Sequence, residues 1–210
     1  MIYLLCFPIF LSPFSLPMKT NIKELTQSII NMIPSSLRFN SQDESLFQRI
    51  KPFHERLSEK IVKGFYDTLF GYPSTQSIFN PGERPLREPD LQRWWQRTIT
   101  GPFDLNYWAW QSAVGVIHIK RKVKNPMMLS IWGWILMTLQ KEFSSHFSPQ
   151  ETFEFMESWQ RLAITVESLI AESYLHNYIV ALAQSTGTEL ALLDRLVAIE
   201  VADIDPKKLE

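Results

Sequence analysis

His118 is the side chain whose type and position could do chemistry, because this histidine belongs to an apolar helical stripe. No proline interrupts Leu105 to Lys122, and Asp104 can cap the start of a helix by accepting a backbone N–H bond. The imidazole is therefore expected to face inward, where it could ligate a haem iron or be a core imidazole bonded to a backbone carbonyl. The stripe residues recur at spacings of three and four and are Tyr107, Trp110, Val114, Ile117, His118 and Arg121.

Gly115 lies three residues before His118, so it removes a side chain from the same face of the predicted helix. We expect this gap to let a flat group such as a haem approach the backbone closely. The chain also contains 14 Phe and 7 Trp, which suit the lining of a large planar ligand or the filling of an ordinary core.

Three motifs resemble those of the globin-coupled sensors and protoglobins. The string VGVIHIKRKV, preceded by GPFD and followed by a tryptophan-rich segment, is similar to the family's proximal-histidine helix. FYDTLFGYPSTQSIF resembles its second helix, and LQRWWQRTITG resembles its distal helix. The motifs occur in the family's order, over roughly residues 45–178. The resemblance implies an all-α globin fold that binds haem b, with His118 as the ligand of the iron.

The resemblance also places Tyr66, from the FYD motif, over the haem, where its hydroxyl can donate to bound O2. The alternative is a half-buried tyrosine with its hydroxyl at a rim. The distal motif contains no histidine, which favours a five-coordinate iron capped by apolar groups such as Leu86 and Trp94. No carboxylate is evident near Tyr66. The full set expected to contact the haem is Phe65, Tyr66, Phe79, Leu86, Trp94, Tyr107, Val114, Ile131 and Ile135.

The remaining charged and imidazole groups are expected to have plainer roles. His146 is placed in a polar turn, and His176 and His54, the latter at the start of its helix, on exposed or interface faces. The bases that follow His118 read as a solvated helix end, although one of them could pair with a haem propionate. These bases are Lys120, Arg121, Lys122 and Lys124.

The chain divides into four predicted segments. Residues 1–17 are apolar but contain prolines at 8, 13 and 17, which forbid a continuous membrane helix, and Met18 is a better start for the protein. Residues 18–40 form an additional N-terminal helix, 41–186 the sensor-type globin domain, and 187–210 a short C-terminal helix and tail.

Charge and cysteine content limit the possible partners. A net charge of -1 gives no basic surface for nucleic acid or an anionic membrane, and a lone cysteine, Cys6, fits a reducing compartment such as the cytoplasm. The helices over 126–140 and 153–178 carry surplus apolar surface, which favours a homodimer, as the resemblance also implies. Burial of that surface inside a monomer is the alternative.

The sequence favours a gas-binding protein over an enzyme. The predicted function is reversible binding of O2, CO or NO for sensing or scavenging. The sequence leaves two alternatives open: a haem enzyme of the same fold acting on NO, nitrite or peroxide, and a haem-free module that signals through protein contacts.

Overall fold

A computed structural model describes residues 21–202, which fold into α-helices joined by short turns. Within this range no strand occurs, so the all-α prediction is confirmed. The apolar segment 1–17 and the tail beyond Ala202 lie outside the described residues. The helices are α1 (Ile22–Met32), α2 (Ser41–Arg49), α3 (Lys51–Phe70), α4 (Pro73–Gln76), α5 (Arg84–Thr100), α6 (Leu105–Arg121), α7 (Asn125–His146), α8 (Pro149–Thr186) and α9 (Leu190–Val201).

Polar side chains fix where the functional helices begin. Asp104 caps α6 as predicted, because its carboxylate accepts the backbone N–H of Tyr107 at 2.8 Å. Ser148 caps α8 in a reciprocal capping box with Glu151. These caps set the phase of α6 and α8, and therefore which residues of each helix face the core.

The 38-residue helix α8 runs along the centre of the fold and packs chiefly against α6 and α7. Its inward face contributes fully buried residues, among them Trp159, Leu162 and Val166. The helix α3 packs on the other side, against α5 and α7. One large apolar core therefore spans all of the long helices.

Gly115 lies where α6 packs against α8. A Cβ atom at this position would lie 2.5 Å from the carbonyl oxygen of Ile170 and 2.9 Å from the backbone nitrogen of Tyr174. The missing side chain therefore lets two helix backbones touch, and the expectation that a flat ligand fills the gap is wrong.

His54 is fully buried, so the expectation of an exposed or interface position is wrong. The helix α3 begins at Lys51, earlier than predicted, and this places His54 within its first turn on the core side. The imidazole Nε2 accepts the indole N–H of Trp159 at 3.0 Å, and burial lowers the pKa of His54 to about 3. His54 is therefore a neutral core residue that anchors α3 to α8.

None of the helices within residues 21–202 is both long enough and apolar enough to cross a membrane.

Candidate functional site

A cavity of about 280 Å³ opens between α3, α5, α6, α7 and α8. This volume is close to the lower end of the range for small-molecule sites in proteins. Most of its walls are aliphatic or aromatic, and its polar groups gather on a few residues. The lining consists of Phe65, Tyr66, Leu69, Thr75, Ile78, Phe79, Arg87, Asp90, Leu91, Trp94, Trp110, Gln111, Val114, Ile117, His118, Arg121, Val123, Met127, Met128, Ile131, Trp132, Ile135, Val166 and Ile170.

The cavity brings together most of the residues that the sequence singled out. They come from four helices and from the turn after α4, so only the fold unites them. The predicted residues in the lining are Phe65, Tyr66, Phe79, Trp94, Val114, His118, Ile131 and Ile135.

Leu86 and Tyr107 do not line this cavity, contrary to their predicted positions. Leu86 lies on the outer side of the first turn of α5 and is 69% exposed. Tyr107 is buried, but it lies eleven residues before His118, which is about 16 Å along a helix. Its hydroxyl pairs with that of Thr98 at 3.1 Å and also hydrogen-bonds the side chain of Gln111.

His118 presents a half-buried imidazole to the cavity. Burial lowers the pKa of His118 to about 4, so the ring is neutral at pH 7. No hydrogen-bond partner for this ring occurs among the residues of the described chain. A neutral imidazole with a free nitrogen facing an apolar slot is the arrangement that a metal ligand needs.

Tyr66 is buried, and its hydroxyl donates to the backbone carbonyl of Arg87 at 2.9 Å. Burial, followed by the charge of the nearby Asp90, raises the pKa of Tyr66, so the phenol keeps its proton and remains a donor. The hydroxyl therefore already has an acceptor on α5, a contact that the sequence did not predict.

Asp90 places a carboxylate in the cavity lining, although none was expected near Tyr66. It is paired with Arg87 at 3.1 Å and also with Arg93. The carboxylate is thus held by two guanidinium groups on α5.

Gln111, Val166 and Ile170 also line the cavity and were missed by the sequence analysis. Gln111 is fully buried, and its Oε1 accepts the indole N–H of Trp94 at 3.3 Å, which joins α5 to α6 at the inner end. Its spacing of seven residues from His118 places it on the same face of α6 and could have identified it. No comparable signal marks the two residues of α8.

A network of charged groups borders the cavity where α5 begins and α6 ends. Of the four bases near the end of α6, only Arg121 lines the cavity. Its Nη2 lies 2.6 Å from Oε1 of Glu83, and the same oxygen accepts from Nε of Arg87 at 2.7 Å. The site thus combines apolar walls and one neutral imidazole with arginines at its edge, which suits a flat apolar group that carries carboxylates.

Comparisons with known proteins identify the family and the fold. The family model for Protoglobin matches residues 26–179. The globin domain of the Geobacter sulfurreducens globin-coupled sensor is similar in fold, with a TM-score of 0.62 at 20% sequence identity, covering 70% of this chain and 96% of that chain. A comparison with curated proteins found no match. The chain belongs to the protoglobin family of globin-type haem proteins, and its fold is the globin fold predicted from the sequence.

Proposed function

We propose that this protein binds haem b through His118 and reversibly holds a diatomic gas, O2, CO or NO, for sensing or scavenging. One observation carries the proposal. The neutral imidazole of His118, which has no partner among the described side chains, shares an apolar cavity with the buried phenol of Tyr66.

The walls of the cavity would hold the flat faces of the haem. Phe65, Phe79 and Trp94 contribute rings from the side of α3 to α5, while Val114 comes from α6 and a further aliphatic set from α7. That set includes Ile131 and Ile135. Apolar walls exclude water, and Arg121 at the edge supplies a cation for a carboxylate. When bound, the haem supplies the iron at which the gas is coordinated.

Tyr66 would contribute the hydrogen bond that distinguishes one gas from another. Its hydroxyl has a single proton, which it now donates to the carbonyl of Arg87. Donation to a gas molecule therefore requires the phenol to give up that carbonyl. A ligand that carries negative charge, such as O2, offers a better acceptor than CO does.

The test is a haem titration of the haem-free protein, followed by absorption spectroscopy. The wild type should take up one haem per chain, and His118→Ala should lose stoichiometric binding or show an altered spectrum, since the imidazole bond to iron is strong and directional. His146→Ala is the matched control, because His146 is exposed at the end of α7 and does not line the cavity; its ring contacts the backbone of Glu142 and the ring of Phe53. An unchanged spectrum in His118→Ala would show that another residue ligates the iron.

We further propose a homodimer through α7 and α8, as the sequence favoured. Support comes from large apolar side chains that remain exposed on these two helices in a single chain. On α7 they are Leu129 and Met137, and on α8 they are Phe153, Leu175, Tyr178 and Leu182. Apolar surface of this kind commonly marks an interface between proteins.

A further inference from the structure

Glu83 is a buried carboxylate that joins the two helices on either side of the cavity. It precedes α5 and is only 5% exposed. Its Oε1 accepts from Arg87 on α5 and from Arg121 on α6, and its Oε2 accepts the backbone N–H of Asn80 at 2.8 Å. Burial favours the neutral acid, but these hydrogen bonds outweigh burial and lower the pKa of Glu83 to about 2. The group is therefore a fixed anion at neutral pH.

Two side chains with proposed roles lie at the two ends of the contacts that Glu83 makes. At one end, Arg121 stands one turn after His118 on α6. At the other end, the side chain of Arg87 binds Glu83 while its backbone carbonyl accepts the hydroxyl of Tyr66. A continuous series of hydrogen bonds and helix backbone therefore runs from the helix of His118 to the phenol of Tyr66.

The backbone carbonyl of Arg87 accepts two hydrogen bonds, one from the hydroxyl of Tyr66 and one within the helix α5. Its position depends on where the first turn of α5 lies. Glu83 ties this turn to the end of α6 through charge-assisted hydrogen bonds of 2.6 and 2.7 Å. Loss of these bonds would loosen the first turn and weaken the acceptor that now holds the phenol.

We propose that Glu83 is a positioning residue which, through Arg121 and Arg87, sets how readily Tyr66 releases the Arg87 carbonyl to donate to a gas ligand. The inference rests on the proposed function, since its first readout uses the haem-loaded protein. Glu83 itself does not line the cavity, so its effect on the gas acts through other residues.

The first experiment measures O2 and CO release rates in Glu83→Gln by stopped flow. The phenol should leave its carbonyl more easily, so O2 release should slow by roughly two- to tenfold, the range of one ordinary hydrogen bond, while CO release stays unchanged. Arg121→Gln breaks the same link from the other helix and should act in the same direction. Glu142→Gln makes the same chemical change at another shielded carboxylate, which pairs with Lys60 between α7 and α3 and does not line the cavity, and it should leave both rates unchanged.

The decisive comparison repeats Glu83→Gln in a Tyr66→Phe background. If Glu83 acts through the phenol, the substitution no longer alters O2 release there. An effect that persists without the hydroxyl, or that is equal for O2 and CO, overturns the proposal and assigns Glu83 a general role in pocket shape.

A second readout needs no haem and separates failure of this proposal from failure of the proposed function. In the haem-free protein, the losses in melting temperature from Glu83→Gln and Tyr66→Phe should be less than additive, because both changes weaken the same contact. The pair of Glu142→Gln and Tyr66→Phe should be additive. Additive losses for the Glu83 pair as well would overturn the coupling, whether or not the protein binds haem.

Discussion

The backbones of Gly115 and Ile170 are in contact across the crossing of α6 and α8, where a Cβ on Gly115 would come within 2.5 Å of the Ile170 carbonyl oxygen. The side chain of Ile170 lines the cavity, and His118 lies one turn beyond Gly115 on α6. This close contact therefore holds the helix that carries the imidazole next to the part of the cavity wall formed by α8.

Gly115→Ala should destabilise the protein by about 1–3 kcal/mol, because the new methyl group meets backbone atoms that cannot move aside. The free energy of unfolding, measured by chemical denaturation, tests this. Gly133→Ala on α7 is the matched control, since nothing in the described chain lies within 4 Å of its added Cβ. There the substitution should stabilise the helix by about 0.5–1 kcal/mol. Equal effects at the two glycines would refute the close crossing.

Tyr66→Phe should speed O2 release about tenfold and leave CO affinity nearly unchanged. A hydrogen bond to a charged acceptor is worth about 1.5–3 kcal/mol, and the phenol gives up about 1 kcal/mol from the Arg87 carbonyl to make it. Tyr72→Phe removes a hydroxyl from an exposed tyrosine outside the cavity lining and should change the release of neither gas. Similar changes for O2 and CO in Tyr66→Phe would indicate an effect of pocket shape.

The buried imidazole of His54 should make the haem-free protein sensitive to acid. Its pKa is about 3 in the folded chain and about 6.5 when unfolded, so between these values only the unfolded chain binds the proton. Stability therefore falls as pH drops below 6.5, by up to about 1.4 kcal/mol per pH unit, and His54 contributes no such loss above pH 6.5. The half-buried His118, whose pKa is also lowered, to about 4, adds the uptake of a second proton on unfolding in the same pH range.

His54→Gln keeps an acceptor for the indole of Trp159 but removes the titration. The slope of unfolding free energy against pH should then fall by about half between pH 6.5 and 5, because His118 still titrates. A slope that is unchanged in His54→Gln would mean that His54 is protonated as easily as an exposed histidine.

The proposed dimer can be tested by sedimentation at micromolar concentration. The wild type should sediment as a dimer, and Met137→Glu should be monomeric, because it puts a charge on an apolar side chain of α7 that is 65% exposed. Leu86→Glu is the control, since Leu86 is equally exposed but lies on α5, away from the proposed interface. A monomeric wild type would refute the dimer.

Local pattern was enough to predict the helices and the inward face of α6, because cap residues and helical spacing act over a few positions. Asp104 caps α6 as predicted, and His118 faces the cavity. The wrong predictions concern which helix packs against a given residue. The partner of Gly115 is α8, and His54 meets Trp159 more than a hundred residues away. Such pairings arise from the packing of distant helices, which one segment of sequence does not encode.

The same limit explains why the inner lining from α8 was missed. Val166 and Ile170 differ in nothing from other apolar residues of their helix until the crossing with α6 places them at the cavity. The prediction for Leu86 was wrong in the opposite sense. This apolar residue precedes Arg87, which lines the cavity, but its own side chain is exposed to solvent.

The length of α8 has a mechanical consequence. The part of the chain matched by the family model ends at residue 179, within this helix, and α8 continues to Thr186 with no proline or glycine after Pro149. Thr186 lies about 24 Å along the axis from Ile170, which lines the cavity. A swing of α8 by roughly 5° at Ile170 would displace Thr186 by about 2 Å, given that rise per residue. Because α8 is continuous, a displacement at the cavity is carried along the helix to its end at Thr186, which is followed by the left-handed turn at Gly187 and by α9.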